Sequence, residues 1–511
     1  MMFSMYIRPS YHFNRIGKRT LLFFLIIIGM AIHLQSLFVK PSSDDFWFCY
    51  KAVTSGGFSW AYILNVLSHS NGIFYRPLTY LPIYLSNICF GNFILCSQFF
   101  KLFLFGFFLW VAYLWIKELT HSPFVSFMSL TILLAHPQNV SSVISIDTWG
   151  YVGNAFIIVS IHYLLSRFET RPKVFTLLMT VFTFSIGLLF NEMALSIPIS
   201  LLWSSLILHR NCWRHKLFYL GIFLIGVILF IYVALRYTIN YDVIRVQEGR
   251  YHLSVLNMLK NTALLFGGLG TWINSANVYY FRGYWLVLAA LSSTLLYGSI
   301  ALGYLSSIRA SLLQNIKLYW SLSGMTLIWL FPAVMMEHIG EHIILACIVP
   351  WSCLLALSIQ RLLSINTPTL KKLIWTGFAL LIGCGIITSL EKNQLVIREG
   401  KRADTWLEFM HKTIPNPKDG DQFVFIVPGD DPSCNYYSIF YRKPREVLSP
   451  GTTLYCVPYI YRNPRISGKQ YIGITSYAKM ADNAYLFIVG DNDSIRYEPG
   501  KSRKMVAKLP Y

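Results

Sequence analysis

Apolar runs close to the length that crosses a bilayer recur along most of this chain, and they leave few folds open. The first, Thr20 to Leu37, follows a basic segment holding Arg8, Arg15, Lys18 and Arg19. Others fall near 98–116, 121–136, 147–165, 174–190, 194–209, 217–235, 284–305, 318–336, 343–363 and 372–389. A spanning helix needs roughly 20 predominantly apolar residues, and only helices or closed barrels satisfy their backbone in hydrocarbon. The pattern predicts an all-α polytopic membrane protein with about eleven transmembrane helices. Composition agrees: 55% of the 511 residues are hydrophobic and 13% charged, against about 25% charged in soluble domains. A soluble enzyme or a fibrous protein is excluded.

The first run could be a signal peptide, but Phe38, Val39, Lys40 and Pro41 follow it rather than a small-residue cleavage site. It is therefore expected to be an uncleaved span with the N-terminus in the cytoplasm. The connections then assigned to the cytoplasm carry Lys117; Arg167, Arg171 and Lys173; Arg210, Arg214 and Lys216; Arg309 and Lys317; Lys371 and Lys372. Short basic connections belong on that side. The opposite side receives 40–96, 236–283 and the tail. Within 40–96 the apolar stretch Leu78 to Phe90 is too short to span and is expected to be an interfacial helix. Val255 to Trp272 contains Lys260 and ends in glycines, and is read as an external interfacial or re-entrant helix.

Residues 1–390 form the expected transmembrane domain, and 391–511 a small extracytoplasmic α/β domain. In the tail, Phe423 to Val427 and Tyr485 to Val489 are short β-like runs bounded by Gly, Asp and Pro. Cys434 and Cys456 could pair there if the compartment is oxidising. No C-x-x-C pair exists, so nothing resembles a zinc site. The net charge of +20 is divided between the two sides of a membrane with no reader motif, which argues against a nucleic-acid partner.

Acidic residues number only 23, so their placement is informative. Asp44 and Asp45 stand just outside the first span, and either could be a general base or, with Mg or Mn as a candidate ion, a metal ligand. Arg76 precedes Pro77 at the start of the short helix and could grip phosphate through paired hydrogen bonds. His136, Asp147, Glu192 and the pair Glu337 and His338 lie in connections assigned to the same face. Ionisable groups near spans are costly unless paired or hydrated, so their convergence predicts a water-filled cavity. Arg236, Arg245, Arg250 and Lys260 would line a basic groove beside the bilayer. Each also has a plain reading as a loop, headgroup or packing residue. Glu337-His338-Ile339-Gly340-Glu341-His342 is not H-E-x-x-H, so a zinc protease is excluded.

The order of these landmarks resembles the GT-C class, the multi-spanning glycosyltransferases that use lipid-linked sugars. They are Asp44-Asp45, Tyr75-Arg76-Pro77-Leu78, Phe90-Gly91, His136-Pro137, Asn191-Glu192 followed by Pro198, and Glu337-His338. The chain is most similar to the protein O-mannosyltransferase and aminoarabinose-transferase branches, and to the membrane part of the tetratricopeptide-linked mannosyltransferases, over about residues 20–390. The resemblance implies a catalytic acid within Asp44-Asp45, with Asp44 favoured because it opens an acid–acid–aromatic triplet. It also implies a polyprenyl-phosphate sugar bound beside basic residues, and a glycan, lipid or protein acceptor. Related chains commonly carry Lys-Glu where this one has Asn191-Glu192, and Arg where His338 stands; the tail has no tetratricopeptide repeat. A bacterial inner membrane, with the C-terminal domain periplasmic, is the expected location. The competing readings are a polyprenyl-linked lipid or sugar transporter or flippase, which should show repeat symmetry, and a non-catalytic subunit of surface-polysaccharide assembly.

Overall fold

The computed structural model describes residues 15–42, 45–54, 59–61, 63–64, 76–90, 93–239, 254–274, 283–336, 341–365, 367–427, 455–463, 465–472, 484–489 and 494–497. Every run predicted as a span is helical. In chain order the helices are α1 (Arg15–Ile32), α2 (Asp45–Thr54), α3 (Pro77–Cys89), α4 (Phe93–Thr120), α5 (Pro123–Ala135), α6 (Asn139–Val143), α7 (Trp149–Thr170) and α8 (Val174–Phe190). They continue as α9 (Ile197–Ile207), α10 (Lys216–Ile239), α11 (Val255–Gly270), α12 (Gly283–Arg309), α13 (Leu313–Val334), α14 (Leu345–Leu363), α15 (Pro368–Thr413) and α16 (Cys456–Tyr461). Among the described residues, seven segments are long and apolar enough to cross a membrane, while α5, α8 and the Glu192–Ile207 segment are shorter apolar helices.

Burial sorts these helices. Within its apolar window α14 is 94% buried, whereas α10 is 22% and α12 17% buried. The first is therefore the central post of the bundle, and the other two present most of their surface outward, to lipid. No water is present in that layer to reward an amphipathic pattern, so outward faces are as apolar as inward ones. The expected interfacial segment Leu78 to Phe90 is α3, opened by Pro77 at its first turn. The 255–272 stretch is α11, with Leu265 and Leu269 buried and Val255, Leu256 and Leu259 exposed. It packs against α12 and α13.

The shorter helices matter for the site. With 13 residues, α5 reaches only about 20 Å, and the chain then turns within the bundle. Gln138, Asn139, Ser142 and Ser145 are all buried there, so the loop before α7 is recessed. Three connections at this end close as short 3-10 helices, Ile146–Thr148, Glu192–Ser196 and Glu341–Ile344. Asp147, Glu192 and His342 ride on them.

The expected domain boundary at 390 falls inside α15, which runs unbroken for 46 residues from Pro368 to Thr413. The tail then forms a four-stranded sheet from β1 (Gln422–Val427), β2 (Ser467–Ile472), β3 (Ala484–Val489) and β4 (Ile495–Tyr497), ordered β2-β1-β3-β4. Strand β1 pairs in parallel with β2 and β3, while β4 runs antiparallel to β3. Alternation assigns the two faces. Phe423, Phe425 and Phe487 pack on Ala403, Trp406, Leu407 and Met410 of α15, and on Cys456 and Val457 of α16. Val424, Ile426 and Leu486 form a small cluster on the other face. Cys456 is buried in the first of these cores; Cys434 lies outside the described residues.

Candidate active site

Asp45 opens α2 and is 2% exposed. Its carboxylate accepts two backbone N–H groups: Oδ2 from Ser42 at 3.1 Å and Oδ1 from Asp147 at 3.0 Å. It therefore fastens the loop after α1 to the turn before α7, across 102 residues of sequence. Cys49, one turn further along α2, senses the charge: burial first, then Asp45 and Asp147, push its thiol well above its ordinary pKa. Asp44 lies outside the described residues.

The second constellation joins α3, α7 and the start of the α9 segment. The Arg76 Nε donates to Glu192 Oε2 at 2.6 Å, and Nη2 lies 2.6 Å from the same oxygen. Its Nη1 faces the Tyr151 hydroxyl at 3.5 Å. Burial works against the guanidinium charge, but Glu192 and Tyr151 outweigh it and hold the Arg76 pKa above its ordinary value. The Tyr151 ring contacts the His342 ring at 4.2 Å. Asn191 accepts from the Met193 N–H at 3.0 Å, capping the turn that presents Glu192. Close approach of three elements is what lets Arg76 reach. A Cβ at Gly150 would stand 2.6 Å from Thr79 Oγ1 and 2.8 Å from the Phe190 carbonyl, the two atoms that hydrogen-bond α3 to α8.

Residues from five separate stretches thus meet at one end of the bundle, Asp45, Arg76, Asp147 and Glu192 among them. His136 has another role. It is fully buried, its Nδ1 accepts from the Gln138 N–H at 3.3 Å, and its Nε2 then donates to the Leu269 carbonyl at 3.0 Å. With its ring between Trp272 and Trp351, it pins the end of α11. Replacing it with alanine strands the buried Leu269 carbonyl, a loss of about 1–3 kcal/mol. Faster amide hydrogen exchange confined to α11 and its following turn is the expected signature.

Lys260 is half-buried on α11, and Asn257 and Asn261 on the same helix cap the Met336 carbonyl at the end of α13. The Arg236 side chain, Arg245, Arg250, Glu337 and His338 lie outside the described residues. Sequence reading passed over Tyr151, Lys101 and Lys392. Lys101 is fully buried on α4 and donates to the Ser145 carbonyl; Lys392 is fully buried on α15 and donates to Gln138 at 3.0 Å. For Lys101, a lysine inside an apolar run is itself the signal; Lys392 stands among Glu391, Asn393 and Gln394, where a lysine is ordinary.

Of the two candidate metal ligands, Asp44 lies outside the described residues, and each Asp45 oxygen accepts one peptide N–H group. Among the described residues no three His, Cys, Asp or Glu side chains cluster as a ligand set.

No family model and no curated protein sequence matches the chain. Among solved structures it is similar to the crystal structure of ArnT from Cupriavidus metallidurans bound to undecaprenyl phosphate, with a TM-score of 0.52 at 11% identity over 94% of each chain. It also aligns with the Archaeoglobus fulgidus oligosaccharyltransferase tethered with an acceptor peptide, with a TM-score of 0.46 at 13% identity over 81% of this chain and 62% of that one. The first likeness is one of fold alone: a multi-helix bundle, here with the expected small sheet at the C-terminal end.

Proposed function

We propose that this protein is a membrane glycosyltransferase that moves a sugar from a polyprenyl-phosphate donor to an acceptor hydroxyl at the extracytoplasmic face. The observation that carries the reading is the convergence at one end of the bundle. Asp45 with Asp147, and Arg76 with Glu192 and Tyr151, come from distant stretches of the chain and meet there. The likeness of fold to a protein bound to undecaprenyl phosphate supports the same class of lipid. So does an apolar cavity of about 350 Å³ between α11 and α13, lined by Val255, Leu259, Phe266, Leu327 and Phe331 among others. A prenyl chain suits such a cavity, and Lys260 on α11 lies on the helix that would place its phosphate.

The chemistry is displacement at the anomeric carbon. The acceptor oxygen forms the new bond, the bond from carbon to phosphate oxygen breaks, and the polyprenyl phosphate leaves with the electron pair. The acceptor proton passes to a carboxylate, and Asp44 is the group for this because its neighbour Asp45 is committed to two peptide N–H groups. Positive charge opposes the charge growing on the leaving phosphate; Arg76, Lys260 and the arginines of 236–250 supply it. No step is assigned to a metal ion.

The test is purification with native lipid, mass spectrometry of what is retained, and assay in nanodiscs against polyprenyl-phosphate sugars and candidate glycan, lipid and protein acceptors. Retained polyprenyl phosphate together with sugar transfer is the expected result. Lipid movement across the membrane without any new glycosidic bond would replace this reading with a flippase.

A further inference from the structure

Five exposed cations gather at the end of the bundle opposite the candidate active site. Arg171 and Lys173 lie between α7 and α8, and Arg210, Arg214 and Lys216 in the turn from α9 into α10. Helix α7 carries Tyr151 near its start and runs for 22 residues, about 33 Å, and α9 likewise leads away from Glu192. The Phe168 ring lies 6.2 Å from that of His215 and 6.5 Å from that of Phe218, which brings the two connections together. A Cβ at Gly221 would stand 2.5 Å from Leu177 Cδ1, so α8 and α10 begin side by side.

Acids do not answer this charge. Glu118 pairs with Arg167 at 3.5 Å, and Glu169 holds His209 Nδ1 at 2.6 Å. Among the described residues none of the five cations is ion-paired, and Arg210 spends only its Nε, on the Leu206 carbonyl at 2.9 Å. The first turns of α8 and α10 hold no acid, so the positive ends of two helix dipoles add to the same field. Further along these two helices the surface is apolar: Phe175, Leu178 and Phe182 of α8 and Leu220 and Phe223 of α10 are all exposed. Trp213 and Tyr219 stand at the boundary, where amphipathic rings settle, and the Tyr219 hydroxyl donates to the Trp213 carbonyl at 2.9 Å.

We infer that the starts of α8 and α10 form a seat for an anionic phospholipid. Arg171, Lys173, Arg210, Arg214 and Lys216 hold its phosphate, and its acyl chains lie along the exposed apolar faces of the two helices. Charge and apolar surface follow one another in the order such a lipid presents them; a soluble anion has no use for the second. Short basic connections are general on one side of membrane proteins, yet the other turns at this end carry fewer cations. Arg309 and Lys317 flank the turn from α12 to α13, and Lys371 and Lys372 open α15. The inference is independent of the glycosyltransferase reading.

The probe is phosphatidylglycerol. The protein is reconstituted in nanodiscs of phosphatidylcholine, or of equal parts phosphatidylcholine and phosphatidylglycerol, and the lipid each molecule retains on release is identified by mass spectrometry. A basic side chain near an anionic surface contributes about fivefold to binding, so the wild-type protein should retain phosphatidylglycerol over phosphatidylcholine by about tenfold or more. Replacing Arg171, Arg210, Arg214 and Lys216 together by Gln should bring that preference to within about twofold of unity, with melting in pure phosphatidylcholine unchanged. The milder pair Arg210→Gln and Arg214→Gln should cut it by about fivefold or more. Lys117→Gln, Arg309→Gln, Lys317→Gln and Lys372→Gln together remove as many exposed cations from elsewhere at this end, and should leave the preference intact. Equal losses in the two fourfold variants would reduce the effect to diffuse charge and overturn the seat. So would a wild-type protein without preference, or displacement of the retained lipid by inorganic phosphate alone.

Discussion

Asp44→Asn should cut sugar transfer by about 10²–10⁴-fold, the range a positioned general base contributes, and leave the melting temperature of the protein where it was. Asp45→Asn should lower both. The difference follows from where each carboxylate is spent. Both Asp45 oxygens accept peptide N–H groups, from Ser42 and Asp147, and the side chain is 2% exposed. An amide there turns a donor toward a donor and leaves a buried N–H unsatisfied, at about 1–3 kcal/mol. Asp44 is assigned the acceptor's proton rather than the fastening. Initial rates with a polyprenyl-phosphate sugar, beside thermal melting of each variant, decide the matter. Wild-type turnover by Asp44→Asn would remove it from the mechanism, and an Asp45→Asn protein as stable as the parent would remove Asp45 from the fastening of α2.

The second large effect is expected at the Arg76–Glu192 pair. Its side chains are 16% and 9% exposed, so Arg76→Met leaves a carboxylate in a poorly hydrated setting. Breaking a buried pair from one side costs about 3–5 kcal/mol, enough to deplete the folded protein in detergent. Arg76→Met with Glu192→Leu removes both charges, and stability should return to within about 1–2 kcal/mol of the parent, since apolar replacements of buried pairs are often neutral. Transfer should not return, because the guanidinium is also assigned to the leaving phosphate. Arg76→Lys keeps a positive charge without the planar fork that spans Glu192 and Tyr151, and should retain stability better than rate. Melting and turnover measured on the single and double variants separate the two roles. Parental turnover in the double variant would confine Arg76 to structure.

Much of this architecture could be read before any coordinates, for a plain reason. A bilayer demands long apolar helices, so the helices were visible as runs, and scarce acids stood out against them. Asp45, Asp147 and Glu192 drew notice in that way, and Arg76 by its place before Pro77. The turns that deliver them were harder. Nothing in a single sequence tells that Ser42 and the Asp147 N–H share one carboxylate, or that Gly150 is small because Thr79 and Phe190 must pass it. His136 misled because it stands at a helix end like the others, yet its nitrogens are taken by Gln138 and Leu269. Lys101 was hidden for the opposite reason: a single charge in a long apolar run does not disturb the run. The continuation of α15 past 389 was not legible, because hydropathy falls there while helical propensity does not.

That uninterrupted helix has a mechanical corollary. At 1.5 Å per residue, its 46 residues make a rod of about 69 Å. One end stands among the spans; the other carries the sheet. Its Lys392 and Asn393 are latched to Gln138 and to the Ile32 carbonyl, and Phe46, the residue beside Asp45, is seated in the core that the rod shares with the sheet. A load applied to the outer sheet has no loose joint along α15 in which to dissipate. It arrives as torque on the acid-bearing turn, so whatever docks on the sheet would have leverage over the chemistry beneath it.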